Sequence, residues 1–431
     1  MPPRRRTKKP KLAAEESRED RISDLCDDLL HRVLSLLPAH EAVRTCVLSR
    51  RWRDVWRSVH VLRFTKPESW GSPARYNSFV NHVLSSRDLA PLEELAFKTY
   101  LFMPQISSDA YGDGEEPVRY ASMWIQYALM RDVQVLRVLV KSRPRPLLLV
   151  NAPFISQHLT TLELKSVVLK GCSMDFSRCP TLESLELTDC KISVHKISSE
   201  SLRRLCVNDC KFSSDKCTQI LASNLVSLRL EVYEGRVPFL QSMPFLVTAY
   251  VSLHRDCKDR CWHSNFERCS FDTCVDCYGN RDDSDSCVVL GALSSAETLE
   301  LSAESLAHVE FAGASILKRD IQLCPTFSKL KTLVLDGWVV ASEVHALIRF
   351  LQCAPILEKI SLRLREEREY VRETEESCSL LERLLPWEHL KIIEVSCTSI
   401  VDWNWRIHKL VKFLNTCSII PYEKNIRKID T

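Results

Sequence analysis

At 431 residues the chain exceeds what one ordinary hydrophobic core covers, so it must divide into domains or stack repeats. Its 45% hydrophobic and 27% charged content suit a globular protein, and a formal net charge of +3 excludes a nucleic-acid- or membrane-seeking field over the whole surface. With nine glycines and no G-x-x-x-x-G-K, G-x-G-x-x-G, G-x-S-x-G or H-E-x-x-H pattern, no phosphate-cradling turn is expected, and no cofactor or catalytic machinery.

Residues 1–20 form a polar tail. Arg4, Arg5, Arg6, Lys8, Lys9 and Lys11 crowd its start, then Glu15, Glu16, Arg18, Glu19 and Asp20 follow where a secretory leader would be apolar. No apolar run reaches the ~18 residues of a membrane span. The nineteen cysteines are therefore expected as reduced, mostly buried thiols in the nucleus or cytoplasm. The basic cluster reads either as a nuclear import signal or as a solvated tail; nuclear entry is the expectation.

Residues 21–66 carry three short helical patterns. Asp27 and Asp28 open the first at the positive end of the helix dipole, and Leu29, Leu30, Val33, Leu36 and Leu37 trace one face until Pro38 stops it. A second runs from about His40 to Leu48, with Val43, Cys46 and Val47 inward. Ser49 is placed to cap a third, whose stripe is Trp52, Val55, Trp56 and Val59. A unit of about 45 residues is marginal alone, yet this one holds a surplus of apolar side chains. Either a partner covers the excess or the following domain does.

The runs Asp24-Leu25-Cys26-Asp27-Asp28-Leu29-Leu30, Val33-Leu34-Ser35-Leu36-Leu37-Pro38 and Ala42-Val43-Arg44-Thr45-Cys46-Val47-Leu48-Ser49-Arg50-Arg51-Trp52-Arg53 closely resemble the F-box of plant F-box/leucine-rich-repeat proteins. The resemblance implies a three-helix module that docks on a Skp-type adaptor and, through it, on a cullin/RING ubiquitin ligase core. Matched to that motif, Leu25, Leu29, Val33, Pro38, Val43, Leu48 and Trp52 would supply the docking surface or share it with the module's own core. One position departs: Cys26 stands where the family has proline, which would preset φ at the helix start. Its loss is expected to weaken docking by about 1 kcal/mol.

Residues 67–431 are organised by recurrence. Leu159-Leu162-Leu164, Leu182-Leu185-Leu187-Cys190-Ile192, Leu202-Leu205-Val207-Cys210-Phe212 and Leu225-Leu228-Leu230 match the leucine-rich template, with starts 20 to 23 residues apart. The L-x-L core of each is a strand with alternate side chains inward, and its leucines stay wet unless a neighbour stacks on them. Weaker copies are Leu92-Leu95-Phe97, Val135-Val138-Val140, Leu246-Ala249-Val251, Leu299-Leu301, Leu306-Val309-Phe311, Leu330-Leu333-Leu335, Leu357-Ile360-Leu362 and Leu390-Ile393-Val395. The expected fold is α/β: an N-terminal three-helix F-box, then a leucine-rich-repeat solenoid with a parallel sheet on its concave face. Residues about 365–431 read as divergent repeats, charged from Arg365 to Ser379; from Trp387 to Arg427 they resemble the FBD-like C-terminal region of the same plant family.

A polar insertion at about 254–290 holds Cys257, Cys261, Cys269, Cys274, Cys277 and Cys287 with His254 and His263. The C-x-x-C at Cys274 and Cys277 can place two thiolates on one zinc ion, but the spacings match no standard zinc module as a whole. A surface loop without metal is the expectation.

The expected function is that of a non-catalytic substrate-recognition subunit of a Skp-cullin-F-box ligase, with no nucleic-acid or membrane partner. Alternation aims Thr161, Glu163, Lys165, Ser184, Glu186, Thr188, Arg204, Asn208, Ser227, Arg229 and Glu231 outward. Of these, Glu163, Lys165, Glu186, Thr188, Arg204, Asn208, Arg229 and Glu231 are the candidate contacts to a target protein, or else ordinary solvated surface. The alternative is a non-ligase scaffold whose F-box-like unit only caps the repeats. A thiol or zinc enzyme built on the cysteine insertion is a third class.

Overall fold

The computed structural model describes residues 25–101, 116–142, 147–150, 154–258, 289–303, 316–317, 320–321, 323–338, 344–364 and 389–397. The basic tail, most of the cysteine insertion and the charged segment from Arg365 lie outside them.

The first elements among the described residues are α1 (Asp27–Ser35), α2 (Ala39–Arg44) continued by a 3-10 turn at Thr45–Val47, and α3 (Trp52–Val55) continued by a second at Trp56–Ser58. Asp27 and Asp28 occupy the first turn of α1, as their charge predicts, and the Cys26 carbonyl accepts from the Leu29 and Leu30 amides, each at 3.1 Å. Pro38 precedes α2 in an extended conformation. The Trp52 amide donates to Ser49 Oγ at 3.4 Å, which realises the expected cap.

The next segment, Val61–Phe64, is a strand (β1), and it begins a long parallel ladder. Its rungs follow chain order: β2 (Glu94–Leu101), β3 (Val135–Ser142), β5 (Thr161–Lys165), β7 (Ser184–Thr188), β9 (Arg204–Phe212), β11 (Ser227–Arg236), β13 (Thr248–Lys258), β14 (Thr298–Ala303), β15 (Thr332–Trp338), β16 (Lys359–Leu364) and β17 (Ile392–Cys397). The register aligns the leucine positions: Leu136 faces Leu162, which faces Leu185, Leu205, Leu228 and Ala249 in turn. All are buried. Each repeat thus exists as a rung only because its neighbour dries the same row.

A second parallel ladder was not foreseen. β4 (Leu147–Val150), β6 (Val167–Asp175), β8 (Lys191–Ser198), β10 (Gln219–Leu221) and β12 (Phe239–Leu240) pair in order, so these coils are stranded on both sides. Earlier coils use helices instead: α4 (Pro73–Ser85), capped by Ser72 Oγ on the Arg75 amide, and α5 (Glu116–Met130). Tyr76 of α4 places its hydroxyl 2.6 Å from the Lys98 carbonyl of β2 and 3.1 Å from that of Phe64, at the end of β1. Trp124 of α5 donates to Asn81 Oδ1 at 2.7 Å. Near the other end, α6 (Val344–Cys353) plays the same part before β16.

Cysteine at the Asn/Cys position of the template behaves as the spacing implies. Asp189 and Asp209 turn the chain at φ 51° and 49°, and the following Cys190 and Cys210 are buried. Each thiol donates back to the preceding rung, Cys190 Sγ to Leu164 O and Cys210 Sγ to Leu187 O, both at 3.3 Å. Cys257 repeats the device against Val232 O at 3.1 Å.

The strands add to the expected boundaries and move one of them. β1 lies within the 21–66 unit, so the first rung of the ladder belongs to the helical head. β13 runs to Lys258, which moves the start of the insertion past His254 and Cys257. β14 pairs directly with β15; the weak copy Leu306-Val309-Phe311 lies outside the described residues.

A bulge in β11 gives a sharp test. The register shifts between Val232 and Glu234, and Gly235 follows at φ 96° with room for no side chain: a Cβ there would lie 1.9 Å from the Phe212 carbonyl oxygen. Gly235→Ala should destabilise the fold by at least the roughly 1–3 kcal/mol of a strained backbone, read as a lowered denaturation midpoint. An unchanged midpoint would contradict the bulge.

Candidate functional site

The helical head divides its apolar residues between two jobs. Leu30 and Leu34 of α1, Ala39 and Ala42 of α2, and Trp52, Val55, Trp56 and Val59 are buried and join one core with the repeats. Left outside are Leu29 (44% exposed), Val33 (45%), Leu36 (80%), Val47 (83%) and Leu48 (66%). Positions 29, 33 and 36 recur at four and three residues, so they form a second stripe on α1, turned away from the core. The head therefore packs onto its neighbouring coil and still presents a large apolar face.

This sorts the seven candidate docking residues. Leu29, Val33 and Leu48 are exposed; Leu25, Pro38 and Val43 are half-buried. Trp52 is corrected: at 4% exposure it is a core residue, held inward because α3 is short and its tryptophans fill the space between helices and ladder. Val47, expected inward, is outward, since the 3-10 turn after Arg44 rotates it off the α2 core face. Leu36 and Val47 were missed as candidates. The heptad-like stripe contained Leu36, but nothing in periodicity says which of two apolar stripes is the wet one.

Arg51 holds the segment after Leu48 beside the start of α1: its Nη2 lies 2.5 Å from the Leu25 carbonyl oxygen and 2.6 Å from Asp27 Oδ1. At Cys26 the backbone has φ −64° and ψ 157°. That φ is the one a proline ring fixes, so the departure from the family motif leaves the backbone where proline would set it.

A relay of ion pairs runs from the head into the face of the ladder. Arg63 Nη1 donates to the Ser35 carbonyl at the end of α1 at 2.7 Å. Its Nε and Nη2 donate to both carboxylate oxygens of Glu94, each at 2.9 Å. Arg137 Nη1 donates to Glu94 at 2.7 Å, and Arg137 Nε stands 2.8 Å from Glu163. Burial pushes the Glu94 carboxyl up, but hydrogen bonds and charge from the two arginines outweigh it and hold it below its ordinary 4.5.

All eight candidate target contacts lie on the solvent side of the main ladder, as alternation predicts: Glu163 and Lys165 on β5, Glu186 and Thr188 on β7, Arg204 and Asn208 on β9, Arg229 and Glu231 on β11. They do not form one free constellation. Glu163 is committed to Arg137. Arg229 donates through Nε to Asn208 Oδ1 at 3.1 Å, pairs with Glu231, and lays its guanidinium 4.0 Å from the centre of the Tyr250 ring. Cys206 Sγ, half-exposed in the same patch, donates to Asn208 Oδ1 at 3.4 Å. Tyr250, Cys206 and Glu300 belong to this row; Tyr250 and Glu300 were overlooked because their rungs carry weaker copies of the template, and Cys206 because thiols are expected mostly inside. Arg363 of β16 reaches across β15 to Glu300.

Cys257 is no zinc ligand here: its thiol is inside the core, and burial pushes it up to about 12. The other thiols of the proposed cluster lie outside the described residues. Among the described residues no group of three or more His, Cys, Asp or Glu side chains is placed to hold a metal.

Three measurements follow. Trp52→Ala should cost about 3–5 kcal/mol of stability as a core truncation, whereas Leu36→Asp or Leu48→Asp should leave the denaturation midpoint nearly unchanged. Cys26→Pro should raise stability by about 0.4–1 kcal/mol, because it restricts the unfolded chain without moving the folded one. Since the Glu94 pKa is depressed in the fold, its contribution is present above pH 4.5 and lost as pH falls through the folded value; Glu94→Gln should flatten that acid limb of the stability curve.

Comparison with known proteins agrees with this geometry. A family model for the F-box domain matches residues 22–64, the helical head together with β1. A putative FBD-associated F-box protein of Arabidopsis thaliana is 28% identical over 267 residues, covering 58% of this chain and 61% of the relative. The meiotic F-box protein MOF of rice (Oryza sativa subsp. japonica) is 29% identical over 369 residues, covering 80% and 71%. A putative F-box/FBD/LRR-repeat protein of Arabidopsis thaliana is 32% identical over 228 residues, covering 46% and 48%. The chain thus spans less than two thirds of the length of both Arabidopsis relatives. The chain therefore carries an F-box domain at residues 22–64 with a parallel ladder built on leucine repeats behind it, and it is similar to plant F-box/leucine-rich-repeat proteins.

Proposed function

We propose that the protein is the substrate-recognition subunit of a Skp-cullin-F-box ubiquitin ligase. In this reading the head docks on a Skp-type adaptor through Leu29, Val33, Leu36, Val47 and Leu48, and the solvent face of the solenoid's main ladder, its concave side, holds a target protein. The observation that supports it is the exposed apolar stripe on a head whose core is already complete without it. A surface of this kind is stable in water at a cost, and a partner that covers it removes the cost.

The chain needs no catalytic group for that task. Docking two proteins on one rigid body turns their encounter into a near-intramolecular event, so the ligase core acts at a high effective concentration of target. Rigidity has a basis here: head and ladder share one core, and the Ser35–Arg63–Glu94–Arg137–Glu163 relay ties the end of α1 to β5. The polar patch around Arg229 and Tyr250 offers a mix of charge, amide and aromatic surface suited to a folded protein or peptide target.

The scaffold reading, in which the head only caps the ladder, draws on the same shared core. It leaves the outward stripe without a role. Both readings are separated by capture of a purified Skp-type adaptor on the full-length chain. Wild type should retain it, and Leu36→Asp with Leu48→Asp should lower affinity at least about 30-fold, on the scale of about 2 kcal/mol for a buried interface anchor. Equal capture by both would favour the cap. The variant needs no Trp52 change, which would confound docking with unfolding.

For localisation we propose nuclear entry through Arg4, Arg5, Arg6, Lys8, Lys9 and Lys11, which lie outside the described residues. Replacing the six by alanine in a fluorescent fusion should move it out of the nucleus; an unchanged distribution would sink the proposal.

A further inference from the structure

Beside the apolar face of the head stand four exposed arginines. Arg32 lies on the outward side of α1, three residues after Leu29 and four before Leu36, within one helical turn of both. Arg44 stands in the same relation to Val47 and Leu48. Arg50 follows Leu48 by two residues, and Arg53 is on the exposed side of α3. All four are exposed.

What distinguishes them is their lack of local compensation. Other cations of the head are used internally: Arg51 on Asp27, Arg57 on Asp54 at 3.4 Å, and Arg63 on Glu94. Glu41 has His40 beside it at 3.7 Å. Among the described residues, Arg32, Arg44, Arg50 and Arg53 have no carboxylate partner, and Asp28 is the one exposed acid of the head left without a described cation. An arginine rim around an apolar centre is the arrangement of a docking face matched to an oppositely charged surface. It also discriminates, since a partner with a neutral or basic rim would leave four guanidinium groups desolvated or opposed.

We infer that the docking face of the head takes a partner whose own apolar pocket is bordered by carboxylates, and that the four arginines steer and select it. The inference rests on the adaptor-docking reading above and specifies the chemistry of that partner's rim. Arg32, Arg44, Arg50 and Arg53 act at long range, on the encounter, while Leu36, Val47 and Leu48 hold the complex once formed. Rim charges of this kind change the association rate and its salt dependence, whereas buried anchors change dissociation.

The experiment follows the full-length chain binding a purified Skp-type adaptor, with association and dissociation rates measured at about 50 mM and about 500 mM salt, a range over which the screening length falls from roughly 14 Å to 4 Å. The variants are Arg32→Glu, Arg44→Glu, Arg50→Glu and Arg53→Glu combined, and Leu36→Asp with Leu48→Asp. For wild type, the association rate should drop about tenfold or more at high salt, and the reversed-charge chain should show that loss already at low salt with dissociation changed less than about threefold. An unaltered thermal midpoint shows that the reversed-charge chain is folded. Equal association rates for wild type and the reversed-charge chain at low salt would overturn the inference and leave docking intact. If Leu36→Asp with Leu48→Asp binds as wild type does, it is the docking reading that fails. A third arm presents duplex DNA to both chains: retention that depends on the arginines, with adaptor association unaffected by them, would assign the rim to a polyanion and overturn the inference as well.

Discussion

Every rung of this protein depends on the next one to keep its leucines dry. A strand such as Thr161–Lys165 buries Leu162 and Leu164 only because Leu136 and Val138 lie on one side and Leu185 and Leu187 on the other. No single repeat holds enough apolar surface to offset the entropy of ordering itself. Stability is therefore a property of contact between neighbours, and it tolerates wide variation in whatever faces the solvent. That freedom lets the open face vary without cost to the fold. It is also why the fold by itself names no target.

The head obeys the same constraint at the end of the array. Its helices contribute Leu30, Leu34, Trp52, Trp56 and Val59 to the common core and leave the outward stripe of α1 free. A small module can carry so much exposed apolar surface because its own fold no longer depends on that surface. The division of labour separates two properties that are confounded in the sequence. Trp52 belongs to the F-box motif and to the core; Leu48 belongs to the motif and to the surface.

Much of the architecture was legible because repeats translate directly into register. The template matches at Leu159, Leu182, Leu202 and Leu225 became consecutive rungs, and the outward residues between them fell where alternation put them. The small buried thiols at Cys190 and Cys210 were also readable, since the chain turns there and has room for little else. The second ladder was not. Segments such as Val167–Asp175 and Lys191–Ser198 are short, polar on alternate positions and embedded between stronger signals, so helix, turn and strand compete evenly until the neighbouring coil selects one. Helices α4 and α5 escaped notice for the opposite reason, being amphipathic stretches lying between weak copies of the template. For the candidate surfaces, alternation revealed direction but not commitment: Glu163 faces outward as expected, yet Arg137 already occupies it.

One further consequence concerns β1. It pairs with β2 on one side, and the helices of the head occupy the end of the stack beyond it. The row of backbone amides and carbonyls on its far side would otherwise be a template on which another chain could extend the sheet. The helical head with the exposed apolar stripe therefore also acts as a stopper against uncontrolled polymerisation. Proteolytic loss of the helices ahead of β1 would free an adhesive rim, and the remaining ladder would become a seed for aggregates.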